Sequence, residues 1–215
     1  MYEFVSGPLV WIAFIAFVAG TLYRLIAMAR LARKDGVVYP TYSARFGLRS
    51  LVRWVVPFAT RNMRSKPVFT LVSFAFHICL LLTPVLLLGH VLLWREAWGV
   101  SWWTLPEPVA DIMTLVVVFA CLFFLLRRLA APEVRAVTYV SDILLVLLVM
   151  APFVTGFVAH QQWLPYRPML VIHIVSGAAW LIAIPFTRLI HMLWFPFTRA
   201  YMGSEFGAVR HSRDW

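Results

Sequence analysis

Four histidines stand inside apolar sequence, in two pairs: His77 and His90 within residues 68–94, His173 and His191 within residues 168–194. A polar ring placed in hydrocarbon either hydrogen-bonds a neighbouring helix or does chemical work. Imidazole is also a strong axial ligand for haem iron. One histidine towards each end of two membrane-length stretches predicts two haems stacked across a membrane, each held by one histidine from either stretch. Any single one of the four could be an ordinary interhelical hydrogen bond; the paired depths favour ligation.

The spacings can be tested against helix geometry. His173 and His191 are eighteen residues apart. That is five turns of an ideal helix, with both rings on one face and roughly 27 Å apart. His77 and His90 are thirteen apart, about 20 Å along the axis and about 140° around it. Pro84 lies between them, and a proline can shift the helical phase through a kink. Helix tilt can absorb part of the depth mismatch.

The elements that must position these rings follow from composition. Of 215 residues, 62% are hydrophobic and 13% charged, and the mean hydropathy is +0.84. A soluble domain is about half apolar and a quarter charged. The chain is therefore expected to be all-α and polytopic, a single membrane domain over residues 1–215. About 20 apolar residues cross the hydrocarbon. Five stretches qualify, at about 8–28, 68–94, 109–129, 139–160 and 168–194. The start, M-Y-E-F-V-S-G-P, lacks the basic region of a secretory signal, so the first stretch is expected to be a retained helix. Cys79 and Cys121 sit in apolar runs and read as small buried hydrophobes. No C-x-x-C is present, so neither a zinc site nor c-type haem attachment is indicated.

Basic residues set the topology. Seventeen of the nineteen Lys and Arg fall on one side of the five-helix plan, and only Arg95 and Arg167 on the other. The positive-inside rule then places the N-terminus outside and the C-terminus in the cytoplasm. The net charge of +10 is this asymmetry, and no nucleic-acid partner is expected. Trp94, Trp98, Trp102, Trp103 and Trp163 mark the outer interface, Trp54 and Trp194 the inner one. With the second helix running outward and the fifth inward, His77 pairs with His191 at an inner haem. His90 pairs with His173 at an outer one. Ser176, Gly177, Ala178 and Ala179 follow His173 and would let a flat macrocycle or a helix approach closely.

The cytoplasmic loop 29–67 carries Arg45, Arg49 and Arg53 at i, i+4, i+8 among Phe46, Leu48, Leu51, Val52 and Val55. This predicts an interfacial helix with a basic stripe, suited to lipid headgroups or to a cytoplasmic partner. The tail 195–215 is hydrophilic and short, and is expected to order on a partner. His160 ends the fourth helix on the outer side near Arg167. It is a candidate to bond a quinone carbonyl, or simply caps the helix. Arg188, one turn from His191, is a candidate for a haem propionate. Asp111, Asp142 and Arg95 lie near helix ends, and His211 lies in the polar tail. No deep charge of the kind an ion pump or proton-coupled carrier needs is found, and there is no internal repeat.

The segments F-H-I-C-L-L-L-T-P-V-L-L-L-G-H-V-L-L-W and H-I-V-S-G-A-A-W-L-I-A-I-P-F-T-R-L-I-H-M-L-W-F-P resemble the cytochrome b subunits of the respiratory nitrate reductase gamma type. P-F-T-R-L-I-H, followed by Pro196, is the most specific part. The resemblance covers the five-helix plan, the outside N-terminus and both histidine pairs. It implies two b haems, ligated by His77 with His191 and by His90 with His173. The long basic first loop and the phrase L-L-L-T-P-V-L-L-L-G-H look like the branch that works with heterodisulfide-reductase-type iron–sulfur proteins, including membrane subunits of sulfate-reducer redox complexes. That branch implies a cytoplasmic iron–sulfur subunit, on loop 29–67 and tail 195–215. It also implies menaquinol or menaquinone at one haem edge and, in some members, a periplasmic multihaem cytochrome c. The expectation is an electron-transfer subunit of an oxidoreductase complex in a prokaryotic inner membrane. A haem-free anchor that docks a soluble redox complex is the rival.

Overall fold

The computed structural model describes residues 2–36 and 38–214. Among them the secondary structure is entirely helical. The helices are α1 (Tyr2–Ser6), α2 (Pro8–Lys34), α3 (Ala44–Val55), α4 (Arg61–Ser65), α5 (Pro67–Leu86) and α6 (Leu88–Trp98). They continue as α7 (Glu107–Ala130), α8 (Pro132–Arg135), α9 (Val140–His160), α10 (Tyr166–Phe186) and α11 (His191–Ser204). Five helical stretches are long and apolar enough to cross a membrane: Tyr2–Lys34, Pro67–Leu86, Glu107–Ala130, Val140–His160 and Tyr166–Phe186. This is the architecture of a multi-pass membrane protein, because a helix satisfies its backbone internally where no water is present. The chain forms two compact units. One comprises the residues up to Leu9 with Val72–Trp180; the other comprises Val10–Leu71 with the residues from Leu181 onward.

In the first unit, α7 packs on α9. Its buried residues are small: Ala110, Thr114, Val117, Ala120 and Cys121. Small faces let helices approach where the hydrophobic effect cannot drive them together. Ile112, Phe119 and Leu126, two turns apart, are exposed in the way a lipid-facing stripe is. Arg128 of α7 lies 3.9 Å from Asp142 of α9, whose carboxylate also accepts the Tyr139 backbone N–H.

The second stretch, predicted as one helix over 68–94, is two. Leu87 is extended (φ −72°, ψ 129°) and separates α5 from α6. Pro84 weakens this point, having no N–H to give. A break would orphan carbonyls in hydrocarbon, and here each finds another donor. The Pro84 carbonyl accepts from His90 Nδ1 (2.8 Å), Val85 from the Trp102 indole (2.9 Å) and Leu86 from the Leu105 backbone (2.9 Å). The phase between His77 and His90 is therefore not that of an ideal helix. Gly99, left-handed at φ 68°, closes α6 with its N–H on the Arg95 carbonyl.

In the second unit, α3 packs along α11. Glycines make the contact possible. A Cβ at Gly47 would lie 2.9 Å from the Ala200 carbonyl, and one at Gly203 would lie 2.9 Å from the Phe46 carbonyl. Ser204 Oγ accepts the Ser43 N–H at 2.7 Å. Asp214 accepts from the Ser50 hydroxyl and pairs with Arg199 at 2.9 Å. The Arg199 guanidinium lies 4.5 Å above the Trp54 ring. Residues 195–214 are thus ordered on the chain's own α3. Their first ten residues complete α11, and a π turn (Glu205–Val209) follows.

The fifth stretch is also corrected. Residues 168–194 do not form one helix. α10 ends at Phe186, just after Pro185, and Thr187 is extended (φ −125°, ψ −173°). A 3-10 turn (Arg188–Ile190) leads into α11. Pro185 denies the Leu181 carbonyl its donor, and Thr187 Oγ1 caps the new turn by accepting from Leu189 N–H. His173 and His191 therefore stand on different helices, and the one-face, five-turn spacing does not hold. Within this unit Gly20 of α2 receives the Pro185 ring, which would be 2.8 Å from a Cβ there.

Candidate functional site

His90 and His173 come together within the first unit. Their ring centres are 6.0 Å apart and their planes 11° from parallel. His90 Nδ1 donates to the Pro84 carbonyl, and His173 Nδ1 donates to the Pro152 carbonyl of α9 at 2.9 Å. Each bond fixes the proton on Nδ1 and leaves Nε2 as an acceptor. Two acceptors cannot hydrogen-bond each other, but they can share a metal. A ring-centre separation of 6.0 Å leaves room for one metal ion, which His90 and His173 would hold through their Nε2 atoms. The carbonyl partner on Nδ1 is the outer contact that metal-bound histidines generally have. These residues fit a bis-histidine haem.

The surroundings hold His173 in place. Gly156 of α9 faces its ring so closely that a Cβ would lie 2.9 Å from Cε1 and Nδ1. Ser176 Oγ donates to the His173 carbonyl and lies 3.3 Å from Thr155 Oγ1. Gly177, one turn from His173, would meet nothing within 4 Å if it carried a Cβ. That is open space on the ligand's side of α10.

His77 lies in the first unit and His191 in the second. His77 Nδ1 donates to the Ser73 carbonyl at 2.7 Å, and its ring meets Phe76 edge-on. His191 Nδ1 donates to the Arg188 carbonyl at 2.8 Å. Both rings therefore have the tautomer that ligates through Nε2. In the second unit a cavity of about 300 Å³ is lined by Arg188, Ile190, His191, Trp194, Phe195 and Thr198. On α11 these fall at i, i+3, i+4 and i+7 from His191, which is one helix face. The indole N–H of Trp194 is buried with no acceptor among the described residues, and Arg24 lies 5.0 Å over its ring. A cation, an unmatched N–H donor and a helix N-terminus together suit a carboxylate.

His160 is differently placed. It is the last residue of α9, half exposed, and its Nε2 lies 3.7 Å from Asp111 Oδ1 of α7. The other carboxylate oxygen accepts from Gln161 Nε2 at 2.8 Å. Arg167 is exposed in the first turn of α10, and His211 is exposed with φ 50°. Sequence reasoning missed the parts that Trp102, Asp111, Trp194 and Gly156 play around these rings. Only Gly156 had a local signal, since Pro152, Gly156 and His160 fall at i, i+4, i+8 on one face of α9.

No family model matches the chain. A protein of Nitratidesulfovibrio vulgaris strain Hildenborough is 36% identical over an alignment of 215 positions that covers 98% of this chain and 95% of that protein. This chain belongs to that protein's family. The likeness runs through all five apolar stretches and carries no statement of chemistry.

Proposed function

We propose that the chain is a di-haem b membrane subunit of a respiratory redox complex. It carries electrons across the membrane between a quinone pool or periplasmic cytochrome c and a cytoplasmic iron–sulfur subunit. The observation that carries this is the His90–His173 pair, 6.0 Å apart and nearly parallel, with both Nδ1 protons committed to carbonyls. A haem held there supplies reversible one-electron transfer. The inner haem is assigned to His77 and His191 from the sequence pattern alone. Arg188 and the Trp194 N–H are the donors for its propionate.

The remaining assignments rest on charge and chemistry. The basic asymmetry supports an outside N-terminus, a cytoplasmic C-terminus and a place in a prokaryotic inner membrane. His160, with Arg167, is the proposed quinone contact at the outer end. There His160 would hydrogen-bond a quinone oxygen, with Asp111 3.7 Å from its Nε2. The iron–sulfur subunit is assigned to the side that carries loop 29–67 and the tail.

The test is His173→Leu in the purified complex, read by pyridine haemochrome and chain quantitation. Two haems per wild-type chain and one in the variant are expected. Equal haem content in both would overturn the assignment, and no haem in either would leave a membrane anchor that docks a soluble complex.

A further inference from the structure

Helix α3 has three faces. Gly47, Ser50 and Trp54 lie against α11. A second face carries Leu48, Val52 and Val55, which are 62%, 52% and 56% exposed. A third, beside it, carries Arg45, Arg49 and Arg53, all exposed. Two of these arginines have local contacts, Arg49 lying 4.6 Å over the Phe46 ring, yet each stays at the surface. An apolar stripe flanked by arginines on a helix of low overall hydrophobicity is the pattern of a helix lying in a membrane interface.

The chain also holds α3 at that depth. Nine residues link it to α2 and five link it to α4, which runs through Lys66 into α5. Even fully extended, nine residues reach about 30 Å. α2 and α5 are both long and apolar enough to span, and as consecutive spans they meet the loop on one face of the membrane. Residues 29–67 carry nine Lys and Arg against the single acid Asp35. Such an excess is complementary to anionic headgroups. The packing on α11 fixes the rotation of α3, so the apolar and basic faces are presented together.

We propose that the exposed faces of α3 bind anionic phospholipid, with Leu48, Val52 and Val55 at the acyl boundary and Arg45, Arg49 and Arg53 on the phosphates. This stands independently of the haem assignment. It makes α3 a lipid-reading element between the first two spans, rather than the surface a soluble subunit covers.

The test uses the full chain with Val52→Cys carrying a nitrobenzoxadiazole label, Cys79 and Cys121 being buried. It is reconstituted into phosphatidylglycerol or phosphatidylcholine vesicles. Each arginine near an anionic surface is worth about fivefold, so three raise the seated-to-lifted ratio on the order of 100-fold. The label should resist iodide and be quenched by doxyl lipid in phosphatidylglycerol. It should become accessible to iodide in phosphatidylcholine, and also in phosphatidylglycerol when Arg45→Gln, Arg49→Gln and Arg53→Gln are combined. High salt should act in the same direction. Equal iodide access in both lipids overturns the proposal, as does equal shielding in both lipids and in the triple variant. Shielding that appears only when a soluble partner subunit is added also overturns it, in favour of a protein docking face.

Discussion

Gly156→Ala separates a designed ligand pocket from a chance meeting of two rings. The new Cβ would lie 2.9 Å from Cε1 and Nδ1 of His173, against about 3.4 Å for ordinary contact. His173 must retreat by about half an ångström, or α9 and α10 must part by as much. Metal–ligand distances tolerate about 0.2 Å. The same retreat stretches the Nδ1–Pro152 bond from 2.9 Å to about 3.4 Å, past the usual hydrogen-bond range. Crowding of this kind costs about 1–3 kcal/mol. Helix propensity runs the other way, since alanine is favoured over glycine by about 1 kcal/mol in a helix interior. The chain should therefore still accumulate in membranes while one of two haems is lost or weakly held. Haem-to-chain ratio and a potentiometric titration of the reduced α-band read the two effects separately. A full haem complement with both potentials unchanged would refute the reasoning.

Trp102→Phe keeps an aromatic ring but removes the donor on the Val85 carbonyl. Without that donor the break that orients His90 loosens, and the potential of one haem should shift while the other stays. Two unshifted potentials would show that Trp102 does not position His90. Asp214→Ala removes the partner of Arg199, whose side chain is only 16% exposed, from an acid that is 3% exposed. Breaking such a buried pair costs about 3–5 kcal/mol. The tail beyond Ser204 should become protease-sensitive with haem content unchanged, and undiminished protection would show that the α3–α11 contact holds without the ion pair.

Hydropathy made the five spans legible, because a hydrocarbon slab demands long unbroken apolar windows whatever the tertiary fold. The same property hid the breaks. The run from Val85 to Leu93 looks continuous across Leu87, and apolar sequence continues through Leu189, Ile190 and Leu193 past the end of α10. Pro84 and Pro185 flagged weak points, but proline is tolerated inside many membrane helices. At Leu87 the donors come from Trp102 and Leu105, which no local pattern links to that turn. The order of the tail was hidden for a similar reason. Gly203, Ser204 and Gly207 are small because they meet Phe46, Ser50 and the Ser43 backbone, and that match spans some 160 positions of sequence. The histidine pairing at 90 and 173 was legible in residue type and depth, whereas the carbonyls that orient the rings were not.

Those carbonyls connect the breaks to the chemistry. In an unbroken membrane helix each carbonyl already serves the N–H four residues on, so a histidine seeking an acceptor must find one with spare capacity. His90 takes the Pro84 carbonyl exposed by the break at Leu87. His191 takes the Arg188 carbonyl in the 3-10 turn that follows Pro185. His77 and His173 use carbonyls within continuous helix, those of Ser73 in α5 and Pro152 in α9. Two of the four rings are thus oriented by backbone at a break that follows a proline. The breaks at Leu87 and Thr187 that weaken these stretches as simple spans also supply the acceptors for Nδ1 of His90 and His191, and an imidazole so held presents Nε2 in one direction.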